Sequence, residues 1–110
     1  MSHLEQGDII ELDFNPSLGH EPAKRRPALV VSVYAFNMRS SLVCVVPITS
    51  KRRDYPLHVP IESNCADGWA CVEQLRTVDV FARDYRVLGY AEEGTMKKVL
   101  GLVRGMFDLR

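Results

Sequence analysis

Two short, almost unbroken apolar runs, Ala28–Val33 and Leu42–Val46, constrain this chain more than any other feature of it. Their valines are β-branched, a shape that suits a pleated strand and loses side-chain freedom in a helix. A strand that is apolar on both faces must be covered on both, so these runs are expected to be central strands. A polar connection containing Asn37, Arg39, Ser40 and Ser41 separates them.

The rest of the chain supplies partners. Ile10, Leu12 and Phe14 alternate with Ile9, Glu11 and Asp13, the period of a strand with one buried face, so a first strand follows Gly7. Further strands are expected at Leu57–Ile61, at Trp69–Leu75 after a turn over Asn64–Gly68, and near Arg86–Tyr90. Asn15–Arg26 carries Pro16, Ser17, Gly19 and Pro22 without an apolar period and is expected to be a long loop, a kind usually functional in a compact domain. Thr49–Asp54 is a second polar, basic loop.

The tail changes period. Met96, Val99, Leu100, Val103, Met106 and Phe107 recur at three- and four-residue spacing, which predicts a helix with Thr95 as its N-cap. Gly101 and Gly105 each weaken that helix by roughly 1 kcal/mol, so it needs packing against the sheet. Strands first and a helix last give a mainly β fold, a small barrel or bent sheet with a C-terminal α-helix. No repeat or linker is visible, and residues 1–110 are expected to form one domain.

Composition narrows the function. Apolar residues at 46% and charged residues at 25% match a globular protein, and no stretch approaches the length of a membrane span. The N-terminus lacks the features of a signal peptide, so a cytoplasmic location is expected. Cys44, Cys65 and Cys71 are odd in number and show no CxxC spacing, which speaks against a disulfide framework and a structural zinc site. The net charge of +0 excludes a general polyanion binder. Positive charge gathers instead at Lys24, Arg25, Arg26 and at Lys51, Arg52, Arg53, as at a confined anion site.

Those clusters sit in the two loops. The first loop brings His20, Glu21 and Arg26 to the start of one buried strand, and the second brings Thr49 and Ser50 to the end of another. If the strands are antiparallel neighbours, both loop ends meet at one edge of the sheet. Carboxylate, imidazole, guanidinium and hydroxyl would then reach one phosphate. This set suits RNA cleavage by its own 2′-hydroxyl, which needs a base, donors for the crowded phosphate and an acid, none of them a metal. The plainer reading is that the charge is solvated surface, that His20 is an ordinary loop histidine, that Glu21 pairs with Lys24, that Thr49 satisfies backbone groups and that Cys71 is core.

Four spaced motifs carry a family resemblance. Gly7-Asp8-Ile9-Ile10 with Asp13-Phe14-Asn15-Pro16, Gly19-His20-Glu21, Arg26-Pro27-Ala28-Leu29-Val30-Val31-Ser32, and Val46-Pro47-Ile48-Thr49-Ser50 with Val72-Glu73-Gln74-Leu75-Arg76-Thr77-Val78-Asp79 resemble the MazF/PemK toxins, in order along the chain. The resemblance implies an SH3-like β-barrel of the MazF/PemK/CcdB type with a C-terminal α-helix. It also implies a homodimer and a sequence-specific, metal-independent endoribonuclease toxin of a type II toxin-antitoxin system, without a cofactor. Partners would be single-stranded RNA, a MazE/PemI-like antitoxin with an acidic tail, and operator DNA through the antitoxin complex.

By position, Arg26 matches the arginine of the family's RPxLV motif, which stabilises the transition state or acts as acid. Thr49 matches the threonine that contacts the phosphate. Glu21 and His20 match a step where some members place a base, Glu73 falls where another branch has a catalytic aspartate, and Gln74 matches a residue of the RNA groove. The base stays open among Glu21, His20 and Glu73. Lys24, Arg25, Ser50, Lys51, Arg52, Arg53 and Arg76 are expected to bind RNA with Gln74, and Tyr55 or Phe81 to stack on bases or join the core. Two departures stand out: Pro22 replaces a common Gln, and Cys71 replaces the arginine that one branch pairs with its aspartate. Alternative functions are a non-catalytic toxin of the same fold that binds a topoisomerase, and a plain RNA-binding barrel. The presence of Arg26 and Thr49 disfavours the first.

Overall fold

The computed structural model describes residues 2–14, 25–51, 55–63 and 65–109. Its seven strands are β1 (Asp8–Asp13), β2 (Arg25–Val30), β3 (Leu42–Thr49), β4 (His58–Glu62), β5 (Asp67–Cys71), β6 (Arg76–Asp79) and β7 (Arg86–Tyr90). A one-turn helix α1 (Tyr34–Asn37) lies between β2 and β3, a 3-10 turn (Val72–Gln74) between β5 and β6, and helix α2 (Glu93–Phe107) ends the fold. The strands pair antiparallel in the order β4-β5-β3-β2-β1-β7, with β6 also on β3. The result is a curled, barrel-like sheet with a C-terminal helix, as the strand-then-helix order predicts.

Alternate residues of the central strands face two apolar clusters. Leu29, Val46 and Ile48 join Ile9, Val59, Ile61 and Val72 in one, and Met96 and Val99 of α2 cover it. Ala28, Val30, Val43 and Val45 join Ile10, Leu12, Phe14, Val78 and Val80 in the other. Both faces of β2 and β3 are therefore buried, which explains their unbroken apolar runs. Ile9, expected on an open face of β1, is buried as well.

β3 organises the sheet. Along one edge it pairs with β2, and along the other it pairs first with β6 over Leu42–Val45 and then with β5 over Ile48–Thr49. From Val45 to Ile48, β3 advances three positions while the chain opposite retreats six, from Arg76 to Ala70. The three surplus residues are the 3-10 turn, which interrupts what the sequence presents as one strand from Trp69 to Leu75.

Other boundaries also differ from expectation. Arg25 and Arg26 open a strand rather than end a loop, because both pair with β1. Thr49 likewise closes β3. α2 begins at Glu93 with Glu92 as its cap residue, and Thr95 lies inside the helix. Met106 and Phe107 are exposed beyond the end of the packed face.

Candidate active site

The condition set by the sequence holds: β2 and β3 are antiparallel neighbours, with Ala28 opposite Pro47, Leu29 opposite Val46 and Val30 opposite Val45. Carried two residues further, this register sets Arg26 across from Thr49. Both residues line a cleft of about 490 Å³ together with Ser50, Lys51 and Gln74. Arg26 is exposed and has no ion-pair partner among the described residues. The Thr49 hydroxyl oxygen accepts the Lys51 backbone N–H at 3.2 Å. That fixes the oxygen and leaves its proton to donate.

The end of β3 is held by a close crossing. Gly68 on β5 has φ +143°, a conformation that L side chains rarely adopt, and a methyl group there would lie 2.3 Å from the Thr49 carbonyl oxygen. Glycine at this point lets β5 approach the backbone that carries the candidate hydroxyl.

Below the Arg26–Thr49 edge lies a group that the sequence does not announce. β4 and β5 pair with His58 opposite Cys71, and both residues line the cleft. The 3-10 turn carries Glu73 to His58, where His58 Nε2 and Glu73 Oε2 are 3.0 Å apart. A carboxylate accepts, so His58 Nε2 carries the proton. The His58 side chain is 5% exposed and that of Glu73 27%. His58 Nδ1 and Glu73 Oε1 are buried and have no hydrogen-bond partner among the described residues. Tyr55 meets the His58 ring edge-on, with centroids 5.2 Å apart. The spacing of His58 from Cys71 and Glu73 carries no motif, so only the hairpin register reveals the group.

Other candidates lie elsewhere. Arg25 donates to the Glu11 carboxylate at 2.9 Å and to the Asp84 carbonyl at 2.7 Å, which ties β2 to β1 and the turn before β7. The Arg76 guanidinium lies over the Phe14 ring, 5.3 Å from its centroid. Tyr55 and Phe81 are exposed rather than core. His20, Glu21, Lys24, Arg52 and Arg53 lie outside the described residues.

The fold is thus a curled seven-stranded sheet with a terminal helix, and it carries Arg26 and Thr49 at one edge of a cleft. Residues 5–107 match the family of PemK-like, MazF-like toxins of type II toxin-antitoxin systems, and the chain belongs to it. It is 32% identical over 92 residues to the endoribonuclease toxin MazF of Escherichia coli (strain K12), covering 84% of this chain and 78% of that protein. With the endoribonuclease toxin ChpB of the same strain it shares 36% over 107 residues, 90% of each chain. Among solved structures, MazE-MazF (Form-II) from Deinococcus radiodurans aligns over 100% of both chains with a TM-score of 0.89 and 28% identity.

Proposed function

We propose that this chain is an endoribonuclease toxin that cuts single-stranded RNA at specific short sequences, without a metal, by attack of a 2′-hydroxyl on the adjacent phosphate. The observation that carries this reading is the presence of Arg26 and Thr49 on one cleft at paired strand ends. Arg26 presents a permanently charged fork to two phosphate oxygens, and Thr49 donates a neutral hydrogen bond to the same group. Fixed donors of this kind act where negative charge builds in the transition state. A base removes the 2′-hydroxyl proton, O2′ bonds to phosphorus, and the 5′ oxygen leaves with a proton. The products are a 2′,3′-cyclic phosphate and a 5′-hydroxyl.

The base is drawn from Glu21, His20 and Glu73. Glu73 is the one whose surroundings are described, with its carboxylate held by His58. Lys51, Ser50 and Gln74 on the cleft wall contact the RNA backbone and bases, and the sequence offers Lys24, Arg25, Arg52, Arg53 and Arg76 as further RNA-binding residues. The chain works as a homodimer in the cytoplasm. Among the described residues no helix is long and apolar enough to cross a membrane. A MazE-type antitoxin with an acidic tail occupies the same cationic cleft, and the complex binds operator DNA. Support for that partner comes from the MazE-MazF structure, which this chain resembles throughout its length.

Incubation with a long single-stranded RNA in excess chelator tests the reading. Discrete cuts ending in cyclic phosphate are expected. Intact RNA that shifts in mobility would instead make the protein an RNA binder.

A further inference from the structure

The floor of the cleft holds a different chemistry from its edge. His58, Cys71 and Glu73 each offer one donor atom, and these atoms lie within 4.8 Å of one another. Three separate features bring them together: the β4–β5 register, the end of β5 and the 3-10 turn. Cys71 is buried, and the His58 side chain is 5% exposed.

This group is incompletely satisfied. His58 and Glu73 share one hydrogen bond at 3.0 Å, yet His58 Nδ1 and Glu73 Oε1 stay buried without partners among the described residues. A buried polar atom left in that state costs about 1–3 kcal/mol. An imidazole, a thiol and a carboxylate converging in this way form a donor set of the kind that holds a cation.

We propose that His58, Cys71 and Glu73 bind a divalent ion of the zinc class, with a fourth coordination position facing the cleft, and that the bound ion shuts off RNA cleavage. The donor types select the metal. Imidazole and thiolate suit zinc, whereas magnesium and calcium take all-oxygen sets. A tetrahedral zinc with ordinary bond lengths holds its nitrogen and oxygen ligands about 3.3 Å apart and its nitrogen and sulfur about 3.6 Å apart. The nitrogen and oxygen are already near that separation, so the Cys71 side chain makes the main adjustment. On binding, the Cys71 thiol gives its proton to solvent and the His58 Nε2 proton passes to Nδ1, so the imidazole stays neutral and thiolate plus carboxylate balance the double charge.

The inhibitory half of this inference rests on the proposed function, since the ion occupies the Glu73 oxygen that would otherwise take a proton. The binding half stands without it.

Titration of the metal-free full chain with Co²⁺ or Cd²⁺ separates the two. A thiolate-to-metal charge-transfer band should saturate at one ion per chain. Cys71→Ser should lose it, and Glu73→Gln should weaken binding by at least about 100-fold, the upper range for losing even an outer-shell partner. A Cys44→Ser, Cys65→Ser double variant should keep it. Glu73→Gln replaces a partly exposed side chain by one of the same shape, so it remains informative if Cys71→Ser does not fold. No band, or one unchanged in both Cys71→Ser and Glu73→Gln, overturns the site. One equivalent of Zn²⁺ should slow wild-type cutting about tenfold or more, reversibly with chelator, and leave the rate of Cys71→Ser unaltered. A band without inhibition overturns the shut-off. Failure of the chelated wild type to cut RNA would sink the proposed function and leave the spectroscopic titration readable.

Discussion

Asn37 and His58 are both withdrawn from water, but their surroundings differ. Asn37 is 0% exposed, and its side-chain nitrogen donates to the Leu4 carbonyl at 2.8 Å and the Ser32 carbonyl at 3.0 Å. Its side-chain oxygen accepts the Ser32 hydroxyl, and its carbonyl accepts the Ser2 hydroxyl at 3.2 Å. Ser32 in turn accepts the Cys44 N–H at 3.0 Å, so the network closes on itself and pins the N-terminal segment to the β2–β3 connection. His58 and Glu73 share a single bond and, among the described residues, keep two unpaired atoms beside a thiol. A closed polar network holds structure, whereas an open one under a cleft is held in place by its surroundings and keeps capacity for something else.

That contrast is broken or sharpened by separating activity from stability. Arg26→Ala should have the largest effect, about a 10³-fold fall in RNA cleavage, the upper end of what losing one transition-state donor costs. Its melting should stay within the roughly 0.5 kcal/mol typical of surface changes. Cleavage at the wild-type rate would show that another cation does the work. Asn37→Ala should do the reverse. With several partners left unpaired, it should destabilise the fold by about 3 kcal/mol, a fall in melting midpoint of roughly 10 °C, while the folded fraction keeps its specific activity. Denaturant melts paired with cleavage assays at low temperature check both halves.

Thr49→Ala comes next, with an expected loss of about 10²-fold in rate. Its stability should fall by no more than about 1 kcal/mol, because it gives up one bond to the Lys51 N–H. A melt and a single-turnover assay on the same sample distinguish chemistry from unfolding. The smallest effect belongs to Asp79 at the end of β6. The Ala82 N–H, then the Ser41 side chain and the Phe81 N–H, hold its carboxyl below the ordinary 3.8. The charged form therefore stabilises the fold above that ordinary value, and the contribution is lost as acid protonates the group through its lowered pKa. Asp79→Asn should be slightly less stable than wild type at neutral pH, with the gap closing as pH falls below 3.8. Parallel melts across the acid range would show the convergence, and a constant gap would mean that the carboxylate charge is not its source.

The central strands were legible because burial on both faces leaves a run with no polar residue to misplace. Arg26 and Thr49 were legible as a pair because each stands just outside such a run, so antiparallel pairing alone brings them together. The start of α2 was misplaced because Glu92 caps through its backbone, without the side-chain hydrogen bond that Thr95 would have advertised. The 3-10 turn was hidden since Val72 and Leu75 continue the apolar character of β5. His58 could not be found for a related reason. Its partners depend on the register of β4 against β5 and on that turn, and neither leaves a spacing that can be counted along the chain.

The turn at Val72–Gln74 is additional to the ladder on β3, which resumes on either side of it. With Val72 anchored in the core, the two residues after it can therefore be exchanged without re-threading the strands beside them. The groups offered at the base of the cleft and the integrity of the sheet can vary separately, so one scaffold has room for more than one chemical arrangement at the same place.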